Sequence, residues 1–384
     1  MPEFFSVSSS SPSLQGSVAD NTSSNMPIKS PFESSIAKPG HGEVTLSLLP
    51  PSIPTLTTLT YKYPLKLLTR TPGFVPEHSA VSAPSRPVHL YLLTYGGGLL
   101  PGDHIDVSVT LNPKTRMVVS TPQGSTKIFK TTETNANDKH HRSTRANELS
   151  DMSQQKLGVQ IGSEAALCYL PDPSVPFKDS RYEQTQTFTV DGAAEGNERS
   201  SLCVLDWVTQ GRTSRGENWD FELWRGKNEV WSRNTKGEKK LLLRDSVILH
   251  DEAHETYPED GQQDAARLSE IRERTYPHGV VGTLILYGPV FDQLSSFLMH
   301  RFTSQPRIGD RNWSSSATPA ESLVDSPSGD SQNVTWSASR VRAGFVVVKF
   351  GAEDFETAKH WLGDLLREEG SVQREFGEEA LFSL

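Results

Sequence analysis

The sequence predicts a mainly β protein: a single antiparallel β-sandwich or β-helix-like domain with a few helices, one of them near the C-terminus. Three observations carry this reading. Short runs that alternate apolar and polar residues, or are rich in β-branched residues, recur from Glu43 to Phe350. Turn signals rich in Gly, Pro and Asn separate these runs, and helical crossovers, which parallel strands ordinarily need, are missing through most of the chain. The length of 384 residues would allow two domains, but all-β folds commonly use more than roughly 200 residues in one.

Residues 1–39 are rich in Ser, Pro and Asn and read as a disordered tail ahead of a domain spanning 40–384. Strands are predicted over Glu43–Leu48, Leu56–Tyr61 and Tyr63–Leu68, where prolines at 50, 51, 54 and 64 exclude helix. The run Leu90–Thr94 then breaks into Gly96-Gly97-Gly98, turns at Pro101-Gly102-Asp103 and re-enters a strand alternating through Ile105, Val107, Val109 and Leu111. Three glycines between strands cost about 0.5–1 kcal/mol each relative to alanine, so the site must need positive φ angles or close approach of another backbone. Further β runs are Arg116–Thr121, Val159–Leu170, Gln184–Val190 and the apolar Leu202–Trp207, followed by β signals from Phe221 to Leu249. Polar stretches at 132–155, 251–278 and 304–337 read as inserted loops, the second with a short helix around Asp264–Glu273. Val280–Gly288 is a buried strand, Asp292–Arg301 an amphipathic helix, and Gly344–Phe350 a closing strand. The final helix, Asp354–Leu366, sets Phe355, Ala358, Trp361, Leu362 and Leu365 on one face.

The formal net charge of −9 is spread along the chain and argues against a nucleic-acid partner. The two cysteines, Cys168 and Cys203, lie in apolar runs and read as buried free thiols of a reducing compartment. The N-terminus lacks a basic region followed by an apolar one, and no apolar run approaches membrane-spanning length. The expectation is a cytoplasmic protein that meets no membrane.

Common catalytic signatures fail in turn. The chain has no phosphate-loop motif, no Gly-x-Ser-x-Gly elbow and no Cys-x-x-Cys pair, and no helix follows Gly96–Gly98 to make a phosphate cradle. His250 and His254 are four apart, but the intervening Glu is misplaced for a zinc protease, and His140-His141 falls in an inserted loop; solvated loops account for both. Two motifs are harder to read as mere surface. In Gly211-Arg212-Thr213-Ser214-Arg215-Gly216-Glu217, two arginines could pair with Glu217, with Asp103 or with a partner's carboxylate. The loop Pro171-Asp172-Pro173-Ser174-Val175-Pro176-Phe177 is held rigid by three prolines, which suits a strand crossing or a recognition surface.

Taken together, these segments resemble the UreD (UreH) family of urease accessory proteins, and the inserts suggest a fungal or other eukaryotic member. The resemblance rests on Tyr-Pro-Leu-Lys-Leu (63–67), Gly-Gly-Gly-Leu-Leu-Pro-Gly-Asp (96–103), Ser-Thr-Pro-Gln-Gly-Ser-Thr-Lys-Ile-Phe (120–129), Leu-Pro-Asp-Pro-Ser-Val-Pro-Phe (170–177) and Gly-Arg-Thr-Ser-Arg-Gly-Glu (211–217), in the family's order.

The resemblance implies a non-enzymatic urease maturation factor that joins UreF-type and UreG-type accessory proteins, binds apo-urease and helps deliver nickel. UreG-type proteins supply the GTPase, in keeping with the missing phosphate loop here. Nickel is cargo in transit on this reading, and no cofactor is held stably. By motif position, Asp103 and Glu217, with Asp172 as a third, are the carboxylates expected along the route, because oxygen ligands bind nickel weakly and release it. Gly96, Gly97, Gly98, Gly102, Thr126, Lys127, Pro171, Pro173, Phe177, Arg212, Arg215 and Gly216 are expected to shape the motifs or meet partners. A competing reading is a β-rich hydrolase in which Asp103 and Glu217 act as paired carboxylates.

Overall fold

Strands are the main secondary structure of the domain, and the computed structural model shows how they are shared between two sheets. The description covers residues 38–70, 85–122, 126–129, 152–192, 196–251, 269–305 and 334–384. The tail expected over 1–39 lies outside these residues as far as 37, as do 123–125, 130–151, 252–268 and 306–333, which take in most of the expected inserts, His140-His141 and His254.

The first sheet holds β1 (His41–Leu49), β2 (Ile53–Tyr61), β5 (His104–Leu111), β8 (Ser153–Ile161), β11 (Arg181–Asp191), β13 (Leu223–Arg233) and β14 (Lys239–His250), in the order β14-β13-β11-β8-β5-β1-β2. The second holds β3 (Leu65–Arg70), β4 (Val88–Thr94), β6 (Arg116–Ser120), β9 (Ala166–Tyr169), β12 (Ser201–Thr209), β15 (Val280–Tyr287), β16 (Val334–Arg340) and β17 (Val346–Ala352), in the order β16-β17-β15-β12-β9-β6-β4-β3. A small parallel pair, β7 (Lys127–Ile128) and β10 (Val175–Pro176), stands apart.

The expectation of antiparallel pairing is corrected here. Neighbours are parallel through the middle of both sheets: β1, β5, β8, β11 and β13 in the first, and β4, β6, β9 and β12 in the second. Antiparallel pairs stand toward the ends, β1–β2 and β13–β14 in one sheet, β3–β4, β12–β15, β15–β17 and β16–β17 in the other. The reason is topological. Parallel strands need a long return connection, and here a strand of the opposite sheet serves as that return instead of a helix. From β4 to β13 the principal strands alternate between the two sheets.

Inward side chains of both sheets, among them Val44, Val107, Val159, Phe188, Leu167 and Val204, merge in one buried cluster. The outer face of the second sheet makes a second cluster under α2 (Asp292–Thr303), α3 (Phe355–Glu369) and α4 (Ser371–Phe376). This explains why every residue of β12 is buried and why it reads as a continuous apolar run rather than an alternating one. Helix α3 starts where Asp354 accepts the Thr357 amide at 2.8 Å, and it buries Ala358, Leu362 and Leu365 as its period requires. The second expected insert contains α1 (Glu270–Thr275), and strands β8 and β16 begin inside the first and third. The start of β8 is polar because Gln155 lines an interior cavity, so no apolar signal marks it. Residues Lys38–Leu384 form one compact unit.

Candidate functional site

The sequence motifs meet along one ladder of main-chain bonds. The Leu99 amide donates to the Lys127 carbonyl at 2.8 Å, Val175 to Thr126 at 3.0 Å, and Thr209 to Ser174 at 2.9 Å. The glycine hinge, the Thr-Lys pair, the proline loop and the end of β12 thus lie side by side. The three glycines divide the work foreseen for them. Gly96 and Gly97 have φ of +87° and +75°, whereas a Cβ on Gly98 would come within 2.6 Å of both the Lys127 carbonyl oxygen and the Phe129 ring. Gly102, at φ +80°, takes the third position of a turn in which the Asp103 amide donates to Leu100 O, the arrangement a Pro-Gly pair favours.

Asp103 and Glu217 are both engaged within their own turns. Asp103 Oδ2 accepts the Leu100 amide at 2.8 Å. Buried Glu217 accepts the Arg212 amide at 2.9 Å and Arg212 Nε at 3.0 Å, and its Oε1 also pairs with Arg212 Nη2. Burial pushes the Glu217 carboxyl up, but the hydrogen bonds from Arg212 and from the Lys178 backbone outweigh it and hold the group below its ordinary range. The Arg212 guanidinium lies 3.7 Å from the centre of the Phe177 ring, which meets Phe129 edge-on. Arg215 is exposed at the tip of the turn, and Gly216 closes it with a φ of +77°. The two carboxylates therefore fasten the motifs, and neither is among the residues lining the cavities described next.

Asp172 is placed differently. It borders a surface pocket of about 590 Å³ that also takes in Thr126, Lys127, Pro173 and Gly211, and it borders an interior cavity of about 30 Å³. Burial pushes its carboxyl up to about 6, with Lys359 opposing. The interior cavity is lined by polar groups between the sheets, including Thr121, Tyr169, Tyr182, Gln184, Gln186 and Asp206. Thr121 Oγ1 and Gln186 Oε1 are buried there with no hydrogen-bond partner among the described residues. A polar site of this size has room for about two waters, which would satisfy such atoms.

Asp206, 7 % exposed, is central to this seam. Gln184 Nε2 donates to its Oδ1 at 2.6 Å and Asn228 Nδ2 to its Oδ2 at 2.7 Å, both from the opposite sheet. Burial pushes the Asp206 carboxyl up to about 6, with hydrogen bonds from Asn228 and Gln184 pulling against it. Asp206 also borders a further cavity of about 130 Å³, whose wall includes Trp224, Thr283 and Lys349. The surface pocket and the interior cavity thus share Asp172 as a wall, and the interior cavity and this last cavity share Asp206. Asp206 falls outside the motifs because Leu202–Trp207 reads as one apolar run. The signals were present: one acidic residue inside a wholly buried strand, and Gln184 and Gln186 on the same parity as Phe188 and Val190.

Fold and seam together define a two-sheet β protein with a small polar cavity between its sheets, flanked by a surface pocket and by a largely apolar cavity. Among the described residues no cluster of three or more His, Cys, Asp or Glu could hold a metal ion, and no helix is long and apolar enough to cross a membrane. The chain belongs to the UreD urease accessory protein family, whose model matches residues 40–380. It is 29 % identical over 339 residues to urease accessory protein 4 of Cryptococcus neoformans var. grubii, covering 85 % of this chain and 89 % of that protein. It is 27 % identical over 308 residues to an uncharacterized ureD-like urease accessory protein of Schizosaccharomyces pombe, covering 80 % and 87 %. Urease accessory protein D of Arabidopsis thaliana is 31 % identical over 234 residues, covering 61 % and 63 %.

Proposed function

We propose that this protein is a cytoplasmic urease maturation factor that binds apo-urease with UreF-type and UreG-type accessory proteins and passes nickel along the polar seam. Family membership supports the role in urease maturation. The observation that carries the transit reading is Asp206, a buried carboxylate held by the Gln184 and Asn228 amides and set between two cavities. Carboxylate, amide and hydroxyl oxygens suit a first-row divalent ion that must be released, since thiolate and imidazole would retain it more strongly. Water in the narrow cavity would complete the ion's coordination as it moves. On this reading Asp172 receives the ion from the surface pocket and Asp206 relays it. Asp103 and Glu217 act indirectly, by holding the turns that carry Thr126, Lys127 and Gly211 to the pocket rim.

The test is co-expression of Asp206→Ala with urease and the other accessory proteins. The expected result is an accessory complex recovered in normal yield and urease whose nickel content is lowered several-fold. Urease with unchanged nickel content would remove Asp206 from the route, and loss of the complex would make it a structural residue only.

A further inference from the structure

At the far end of the seam an ion pair bridges the two sheets. Strand register sets Asp206, Thr283 and Lys349 in one row across β12, β15 and β17. A facing row across β11, β13 and β14 consists of Gln186, Asn228 and Asp245. Lys349 Nζ donates to Asp245 Oδ1 at 2.7 Å and to Thr283 Oγ1 at 3.3 Å, so the two rows are joined at their outer end as Asn228 joins them at Asp206. Lys349 also walls the cavity that Asp206 borders.

Three features make this contact different from an ordinary surface pair. The Lys349 side chain is 50 % exposed while that of Asp245 is 14 % exposed, so the ammonium sits at the boundary between solvent and seam. Asp245 Oδ2 is buried without a hydrogen-bond partner among the described residues, leaving an oxygen donor unused behind the ammonium. The charges of both residues act on Asp206, Asp245 opposing its ionisation and Lys349 favouring it. A half-exposed lysine has a flexible stem and a weak ion pair, so it can swing out at little cost. While it stays in place, its charge opposes any cation beside it.

We propose that Lys349 is a charge gate on this seam, closing the β15–β17 end to divalent cations and exposing Asp245 and Asp206 when it swings out. The proposal rests on the transit reading for its biological use, but the gate itself is a property of this chain that can be measured without urease.

The experiment is calorimetric titration of the purified full chain with nickel chloride, comparing the parent with Lys349→Met, Lys349→Gln, Lys349→Arg and the double variant Lys349→Met/Asp206→Ala, each checked for an unchanged melting transition. Removing the charge should tighten binding about tenfold or more in the Met and Gln variants, leave Arg like the parent, and lose the gain in the double variant. Parent-like affinity in folded Lys349→Met and Lys349→Gln would overturn the gate. A gain that survives Asp206→Ala would overturn it too, by locating the ion elsewhere. The transit reading fails separately: a gain in affinity that depends on Asp206, together with normal urease nickel in Asp206→Ala cells, keeps the gate and removes delivery.

Discussion

Asn228 on β13 donates to Asp206 on β12 across 2.7 Å, joining two strands that are consecutive in the chain but lie in opposite sheets. This contact exists because the chain changes sheet between β12 and β13. It places a carboxylate where a two-sheet core would ordinarily hold an aliphatic side chain. Gln184 completes the arrangement from β11, so both Asp206 oxygens are occupied by amides, and among the described residues no cation pairs with the group directly. A buried carboxylate without such a counter-ion favours its protonated form.

A pH dependence follows. Burial raises the Asp206 carboxyl from 3.8 to about 6, so between those values the folded chain holds a proton that the unfolded chain releases. Stability therefore increases as pH falls from about 6 toward 3.8, by up to about 1.4 kcal/mol per pH unit for one full proton. Asp172, also raised to about 6, adds to the same slope. Urea unfolding of the parent and Asp206→Asn across this window should give a shallower slope in the variant, and equal slopes would show that Asp206 ionises normally.

Glu217 behaves in the opposite sense. Its carboxyl is held below the ordinary 4.5, so the stability it contributes is present above that value and is lost as pH falls through its folded value. Glu217→Gln should cost about 1–3 kcal/mol at neutral pH, because the Arg212 fork loses its charged acceptor. The deficit against the parent should narrow in acid. Thermal melts at neutral and acidic pH check this, and a pH-independent deficit would mean that shape rather than charge matters at the turn.

The glycine hinge separates two kinds of constraint. Alanine at Gly96 meets no atom within 4 Å and suffers only from its φ of +87°, a cost of about 1–2 kcal/mol. At Gly98, alanine collides with the Lys127 backbone at 2.6 Å and forces the ladder apart. Overpacking of this kind costs about 1–3 kcal/mol and more where backbone must move. Gly98→Ala should also disturb the pocket, because Lys127 is part of its wall. Denaturant midpoints of the two variants decide it, and a smaller loss at Gly98 than at Gly96 would contradict the geometry.

Much of this molecule was legible locally. Period-two alternation located β5 and β11, the 3.6-residue period located α3, and Pro101-Gly102-Asp103 announced a tight turn, because each depends on neighbours along the chain. The arginines of the Gly211–Glu217 turn also suggested a pairing with Glu217, and Arg212 makes it within five residues. What the sequence by itself determined is therefore the location of most of the long strands, the apolar face of those that alternate, and which motifs belong together as a family signature. Tertiary structure alone decided which strands are neighbours, and with that the parallel ladders and the meeting of Asp206 with Gln184 and Asn228 and of Lys349 with Asp245. The physical reason is that side-chain alternation fixes a residue's face but carries no record of the strand opposite. A polar residue on an apolar parity announces a buried partner without naming it.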